Sequence, residues 1–164
     1  MNGRRYVFVD RDDTVAKNVP YCDSPEKFHL FPGIPSQIRR LNEAGFLVIM
    51  ITNQSGINRG LFTEETLSKI HEKMTSELRS EGAYIDKIFH CPHRPDENCR
   101  CRKPNTLLGE WAIEEFGIDV SESYMIGDSD ADMEFGKRLG CTPIRIDGDH
   151  SFKDAVDMIV SHSE

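Results

Sequence analysis

The stretch YVFVDRDDTVAK, Tyr6 to Lys17, runs four apolar residues straight into Asp10, Asp12 and Asp13, with Arg11 between the first two. An unbroken apolar run of this length reads as a strand buried on both faces of a parallel sheet. In an extended backbone Asp10 and Asp12, two positions apart, project to the same side. Carboxylates that close disfavour joint ionisation, so a divalent cation, a shared proton or both must offset the repulsion.

Working outward, FLVIMI (46–51), KIFH (87–90), SYMI (123–126) and TPIRI (142–146) read as further strands. Amphipathic segments fill the gaps. Ile34, Ile38 and Leu41 form an apolar stripe before Gly45, and Leu67, Ile70, Met74 and Leu78 form another between Thr63 and Gly82. Leu108, Trp111, Ala112 and Phe116 before Gly117 give a third helix, and Phe152, Val156, Ile159 and Val160 after the cap Ser151 give a last one. Core packing is the expected role of these stripes, Trp111 and the methionines included. The alternation predicts an α/β fold, a Rossmann-like parallel sheet with helices on both faces, in one domain over residues 1–164. Ligands then bind at the carboxyl ends of the strands. DRDDT, TNQSG, CPH and GDSDAD all follow predicted strands.

Composition fits a soluble globular chain of 164 residues, 38% hydrophobic. A formal net charge of -8 argues against nucleic acid as the main partner but not against a small phosphorylated substrate. No apolar run approaches the roughly 20 residues that cross a bilayer, and the first strand is too short for a signal sequence. A cytoplasmic protein with no membrane partner is expected. Three of its five cysteines, Cys91, Cys99 and Cys101, cluster with His93 as C-x-H…C-x-C, which predicts a closed, structural Zn²⁺ site rather than disulfides. Such an ion would close the loop after the third strand and fix the following RKP.

Hard oxygen donors suit Mg²⁺, with Asp128 supplying a further carboxylate and Asp132 either a partner to the ligands or a weak ligand itself. Thr52 and the following Asn53, Gln54 and Ser55 can form an anion-binding concavity at a strand end. Lys103 places a positive charge near it, and Arg102 is a forked donor beside it.

Taken in order across nearly the whole chain, DRDDT, TNQ, RKP and GDSDAD resemble the four motifs of the haloacid-dehalogenase superfamily of aspartyl phosphatases. TNQSGINRGLFTEE, CPHRP and CRCRKP are similar to the branch holding the D-glycero-D-manno-heptose 1,7-bisphosphate 7-phosphatases and histidinol-phosphate phosphatases, and QSGINRG stands nearer the heptose group. The resemblance implies Asp10 as nucleophile, Asp12 as general acid and base, and Thr52 and Lys103 as phosphate stabilisers. It also implies Mg²⁺ held by Asp10, Asp128 and the backbone carbonyl of Asp12. The expected substrate is a sugar phosphate, first the heptose 1,7-bisphosphate; histidinol phosphate, a nucleic-acid 3′-phosphate and a non-catalytic phosphate-binding module are the alternatives.

Asp13 departs from the superfamily, which places Gly there; Asp also visits positive φ, so the loop can keep its shape while gaining a charge. No insertion is long enough for a lid domain, as in capless members. Recognition of a second anionic group or of sugar hydroxyls then falls to loop residues, Arg59 and Arg102 foremost, with Lys17 expected to be ordinary exposed charge.

Overall fold

Five parallel strands, β1 (Tyr6–Val9), β2 (Leu47–Asn53), β3 (Lys87–Cys91), β4 (Tyr124–Gly127) and β5 (Thr142–Arg145), form one sheet in the computed structural model, which describes residues 4–163. Their order is β3-β2-β1-β4-β5. β1 is central, and all four of its residues are fully buried. The two-residue period of a strand sends Val7 and Val9 to one face and Tyr6 and Phe8 to the other.

Each face carries its own core. Val7, Val9, Val48, Met50 and Ile126 pack with α1 (Ile34–Glu43), α2 (Glu64–Ser80) and α5 (Phe152–His162). Tyr6, Phe8, Ile49, Ile51 and Met125 pack with α3 (Leu107–Phe116) and α4 (Asp130–Leu139). Helices therefore cover both faces, as the strand–helix alternation requires. Serine and threonine caps start three of them: Thr63 Oγ1 accepts from Thr66 N at 3.1 Å, and Ser129 and Ser151 close reciprocal boxes with Asp132 and Asp154.

Two expectations fail. α4 was not anticipated, because GDSDADMEF shows no apolar stripe; only Asp132, Phe135 and Gly136 of this helix are buried. Trp111 is 48% exposed, and Met158 is exposed too. Leu108 and Ala112, one turn apart, face the sheet, and Trp111 is rotated away from that line by its position in the turn.

Register sets the strand tips level. Val9 pairs with Met50 and with Ile126, and Asp10 N donates to Ile126 O at 3.2 Å. Among the described residues no helix is long and apolar enough to cross a membrane. The segment between Asp13 and Phe31 holds no α-helix: Ala16 bridges Leu30, and a 3₁₀ turn, Pro25–Lys27, is tied to α2 by Lys73 Nζ, which donates to the carbonyls of Pro25 and Phe28.

Candidate active site

β1 and β4 are the neighbours at which the strand order reverses, the crevice where open α/β sheets bind ligands. Asp10 extends β1 and Asp128 follows β4. Lys103 arrives from the loop after β3, buried, and its Nζ donates to Asp10 Oδ1 at 2.8 Å and to Asp132 Oδ1 at 2.7 Å. Asn53 at the end of β2 clamps the lysine's backbone: its Oδ1 accepts from Lys103 N at 3.0 Å, and its Nδ2 donates to Lys103 O at 3.3 Å.

Asp132 is spent on this arrangement. Its Oδ2 accepts from Asp128 N, Ser129 N and Ser129 Oγ. The first turn of α4 approaches so closely that a Cβ on Gly127 would overlap the Asp132 side chain, which is why glycine ends β4.

Electrostatics follow burial. It pushes the Asp10 carboxyl well above the carboxylate range, against the pull of Lys103, and Asp132 and Asp12 add to the rise. Burial would lower Lys103, but Asp10 and Asp132 outweigh it and hold the ammonium charged. Asp128 is raised by burial and then by Asp132. Ligand atoms of Asp10, Asp128 and Asp132 lie within 4.8 Å of one another. With Asp12 there are four carboxylates against two buried cations, Lys103 and Arg11, a donor set and a charge deficit that fit a divalent cation.

Asp12 is held differently. Arg11, buried behind it, donates from Nε to Asp12 Oδ1 at 3.0 Å and from Nη2 to Oδ2 at 3.1 Å. Gln54 Nε2 donates to Asp12 Oδ2 at 3.2 Å and to Thr52 Oγ1 at 2.9 Å. Asp10, Asp12, Asn53, Lys103 and Asp132 line a recess of about 150 Å³, and a second of about 280 Å³, bounded by Asn18, Tyr21 and Ser55, shares Asp12 and Asn53 with it. A larger, mainly apolar cavity of about 670 Å³ touches the acidic loops only at Asp13, Thr14 and Asp128.

The cysteine loop closes on itself. Cys91 Sγ is 3.4 Å from His93 Nδ1, 3.5 Å from Cys99 Sγ and 2.9 Å from Cys101 Sγ, and His93 Nδ1 is 3.2 Å from Cys101 Sγ. Burial pushes the Cys91 thiol far up, whereas at Cys99 the opposing burial is overcome by hydrogen bonds from Cys91 and the backbone, which bring it down to about 7. Three sulfurs and one imidazole nitrogen gathered this tightly are the donor set of a tetrahedral Zn²⁺ site. Gln54 N donates to Cys91 O and Asn58 N to Pro92 O, so the loop is fastened to the turn after β2.

The geometry invites comparison with known proteins. Residues 100–157 match the HAD-hydrolase-like family. A probable D-glycero-D-manno-heptose-1,7-bisphosphate 7-phosphatase of Thermoplasma volcanium is 38% identical over 134 residues, covering 81% of this chain and 92% of the relative. The chain belongs to the haloacid-dehalogenase-like phosphatases. The bifunctional histidine-biosynthesis protein HisB of Legionella pneumophila is 36% identical over 96% of this chain, but the chain spans only 46% of it. Among solved structures, the D,D-heptose 1,7-bisphosphate phosphatase of B. bronchiseptica, complexed with magnesium and phosphate, superposes with a TM-score of 0.89 at 29% identity, covering 96% of this chain and 99% of that one.

Within this phosphatase the expected residues divide into three groups. Asp10, Asp12, Asn53 and Lys103 meet at one recess, with Asp128 beside them. Thr52 and Gln54 are buried and bonded to each other, so the amide expected to face substrate is turned inward; Asn53 likewise spends its amide on Lys103. Ser55 Oγ accepts from Arg59 Nε at 3.2 Å, and the Arg59 guanidinium lies over the Tyr21 ring at 5.5 Å. Arg102 donates to His93 O and so turns toward the cysteine loop, and Lys17 is exposed. Asp13 takes φ 63°, the left-handed conformation usually left to glycine. Arg11 went unassigned in the sequence; its signal was a cation set between two aspartates in a loop flanked by apolar residues.

Proposed function

We propose that this phosphatase removes the 7-phosphate of D-glycero-D-manno-heptose 1,7-bisphosphate through an aspartyl-phosphate on Asp10. The carrying observation is Lys103 Nζ, buried and bonded to Asp10 at 2.8 Å on a recess of about 150 Å³, at the sheet's reversal point. Similarity to the Thermoplasma and B. bronchiseptica heptose phosphatases, nearly end to end in each, supports the substrate. Histidinol phosphate is the second reading, favoured by the likeness to HisB.

Phosphomonoester hydrolysis is so slow unaided that positioning and charge neutralisation both have to be large. In the first half-reaction an Asp10 carboxylate oxygen bonds to phosphorus, the P–O bond to the sugar breaks, and Asp12 gives its proton to the departing oxygen. In the second, a water oxygen bonds to phosphorus and its proton passes to Asp12. The Asp10–phosphorus bond then breaks, with its electrons returning to the carboxylate. Lys103 donates to the transferring group's oxygens and favours the ionised form of Asp10 against the rise that burial causes. Asp10, Asp128 and the Asp12 carbonyl would hold Mg²⁺, which supplies positive charge to the phosphoryl oxygens when bound. The recess beside Asn18, Tyr21 and Ser55 takes the leaving sugar, and Arg59 at its rim meets the second phosphate.

In this reading residues 1–164 form one phosphatase domain whose loop at 91–101 holds a structural Zn²⁺ that fixes the approach of Lys103. Phosphate release with Mg²⁺ from heptose 1,7-bisphosphate, histidinol phosphate and a 3′-phosphorylated oligonucleotide tests the reading. Preferential turnover of the heptose, lost on the order of 10⁴-fold or more in Asp10→Asn, is expected. Normal turnover by Asp10→Asn would sink the mechanism, and preference for histidinol phosphate would change the substrate alone.

A further inference from the structure

We propose that Arg11 is a positioning residue for Asp12: its buried guanidinium, seated between His71 and Phe28, fixes the orientation of the carboxylate that gives and takes the proton. The proposal rests on the role assigned to Asp12 above.

A buried cation is costly unless paired and fully hydrogen-bonded. Arg11 is 1% exposed. Each nitrogen of its guanidinium has a local partner: Nε and Nη2 form a two-point fork on Asp12, Nη1 lies 3.2 Å from His71 Nε2, and Cζ stands 5.6 Å from the centroid of the Phe28 ring. No buried side-chain nitrogen or oxygen among the described residues lacks a partner. Because a guanidinium only donates, His71 Nε2 must accept, which requires the neutral ring with its proton on Nδ1. Burial first, and the facing Arg11 second, hold His71 down at about 3, consistent with that tautomer.

Three separate elements thus converge on one side chain. His71 comes from α2, Phe28 from the loop that Lys73 ties to α2, and Asp12 from the β1 tip. A planar fork fixes both the position and the rotation of a carboxylate, where a lysine would fix only a distance. The fork also distinguishes the two oxygens. Oδ2 already accepts from Arg11 and Gln54, whereas Oδ1 accepts from Arg11 alone. Oδ1 is therefore the oxygen with a lone pair to spare for the proton. Arg11 does not line the recess in which phosphorus is attacked; it borders only the neighbouring recess, behind Asp12.

A positioning role and a merely structural one separate in pre-steady-state kinetics. p-Nitrophenyl phosphate has a leaving group that departs without a proton, so its first half-reaction bypasses Asp12, but the second still needs Asp12 to take a proton from water. Arg11→Gln, Arg11→Lys and His71→Leu are compared with Asp12→Asn by rapid mixing, with the folded fraction checked by thermal unfolding. For Asp12→Asn and Arg11→Gln the first-turnover burst of nitrophenol is expected to persist while steady turnover falls on the order of 10²-fold. On an alkyl phosphate both phases should fall. Arg11→Lys should not rescue, because it lacks the fork.

His71→Leu leaves Arg11 in place and covers the case in which Arg11→Gln does not fold; the same pattern at about tenfold is expected. Wild-type steady turnover in the Arg11 or His71 variants, rescue by Arg11→Lys, or equal loss in burst rate and steady turnover would overturn the proposal. Wild-type turnover in Asp12→Asn would instead remove the role of Asp12 on which it rests.

Discussion

Lys103 and Arg11 are both buried cations bonded to aspartates of one loop, yet they come to it by different routes. Lys103 is carried in from 93 residues away, on a loop clamped by Asn53, and places a compact charge between Asp10 and Asp132. Arg11 belongs to the loop itself and lies flat against its own neighbour, with His71 and Phe28 behind it. The lysine can transfer its hydrogen bonds from carboxylate to phosphoryl oxygens, since three rotatable donors sit on one atom. The arginine cannot release Asp12 without leaving its own charge unpaired. In the proposed mechanism one cation acts on the reacting group and the other holds a neighbour still.

Three experiments press on that contrast. Lys103→Met should have the largest effect, lowering kcat on the order of 10²–10³-fold because a charge aimed at the transferring group is lost. It should also destabilise the fold by about 3–5 kcal/mol in magnesium-free buffer, because two buried carboxylates lose their cation. Without the ammonium the Asp10 carboxyl should rise beyond the value of about 7 that burial already gives it, so the folded variant holds a proton above pH 7 where the folded wild type does not, and this loss should shrink as pH falls from alkaline values toward 7. Urea unfolding across that range measures it, and a loss that grew on acidification would contradict the assignment.

Removing zinc should be the next largest. Elemental analysis is expected to find one zinc per chain, and chelation should lower activity about 10–100-fold by loosening the approach of Lys103 while the Arg11 side stays intact. An unchanged His71 ring signal with reduced turnover would separate the two sides; no zinc in protein purified without chelator would count against the cysteine site.

The smallest effect belongs to His71→Gln. Gln offers Arg11 an acceptor oxygen but does not titrate. His71 is held near 3 when folded and titrates near its ordinary 6.5 when unfolded, so its contribution to stability is present above the unfolded value and lost as pH falls below it. Between pH 7 and 5 the wild type should lose about 2 kcal/mol more than the variant. Equal losses would mean that His71 does not hold a depressed value.

Much of this was legible in the sequence. Strand ends followed by aspartates located Asp10 and Asp128, and the cysteine spacing located the cluster of Cys91, His93, Cys99 and Cys101, because both signals are local. α4 escaped because its inward face is an aspartate, a phenylalanine and a glycine rather than an apolar stripe. The directions of Asn53 and Gln54 depend on which side chains arrive opposite them, Lys103 for one and Asp12 for the other, and no spacing within TNQSG encodes that. Arg11 was hidden for a like reason: its burial is decided by α2, some 60 residues on.

Asp132 carries a consequence of another kind. It is the third residue of α4 and closes that helix's capping box, while its other oxygen receives Lys103. Fraying of a single helical turn would therefore remove one of the two carboxylates that hold the lysine and leave it on Asp10 alone, and winding it would restore the pair. The reactivity of Asp10 is in this way coupled to the local melting of a helix end, so hydrogen exchange at Asp132 and Met133 should track how often the site is assembled.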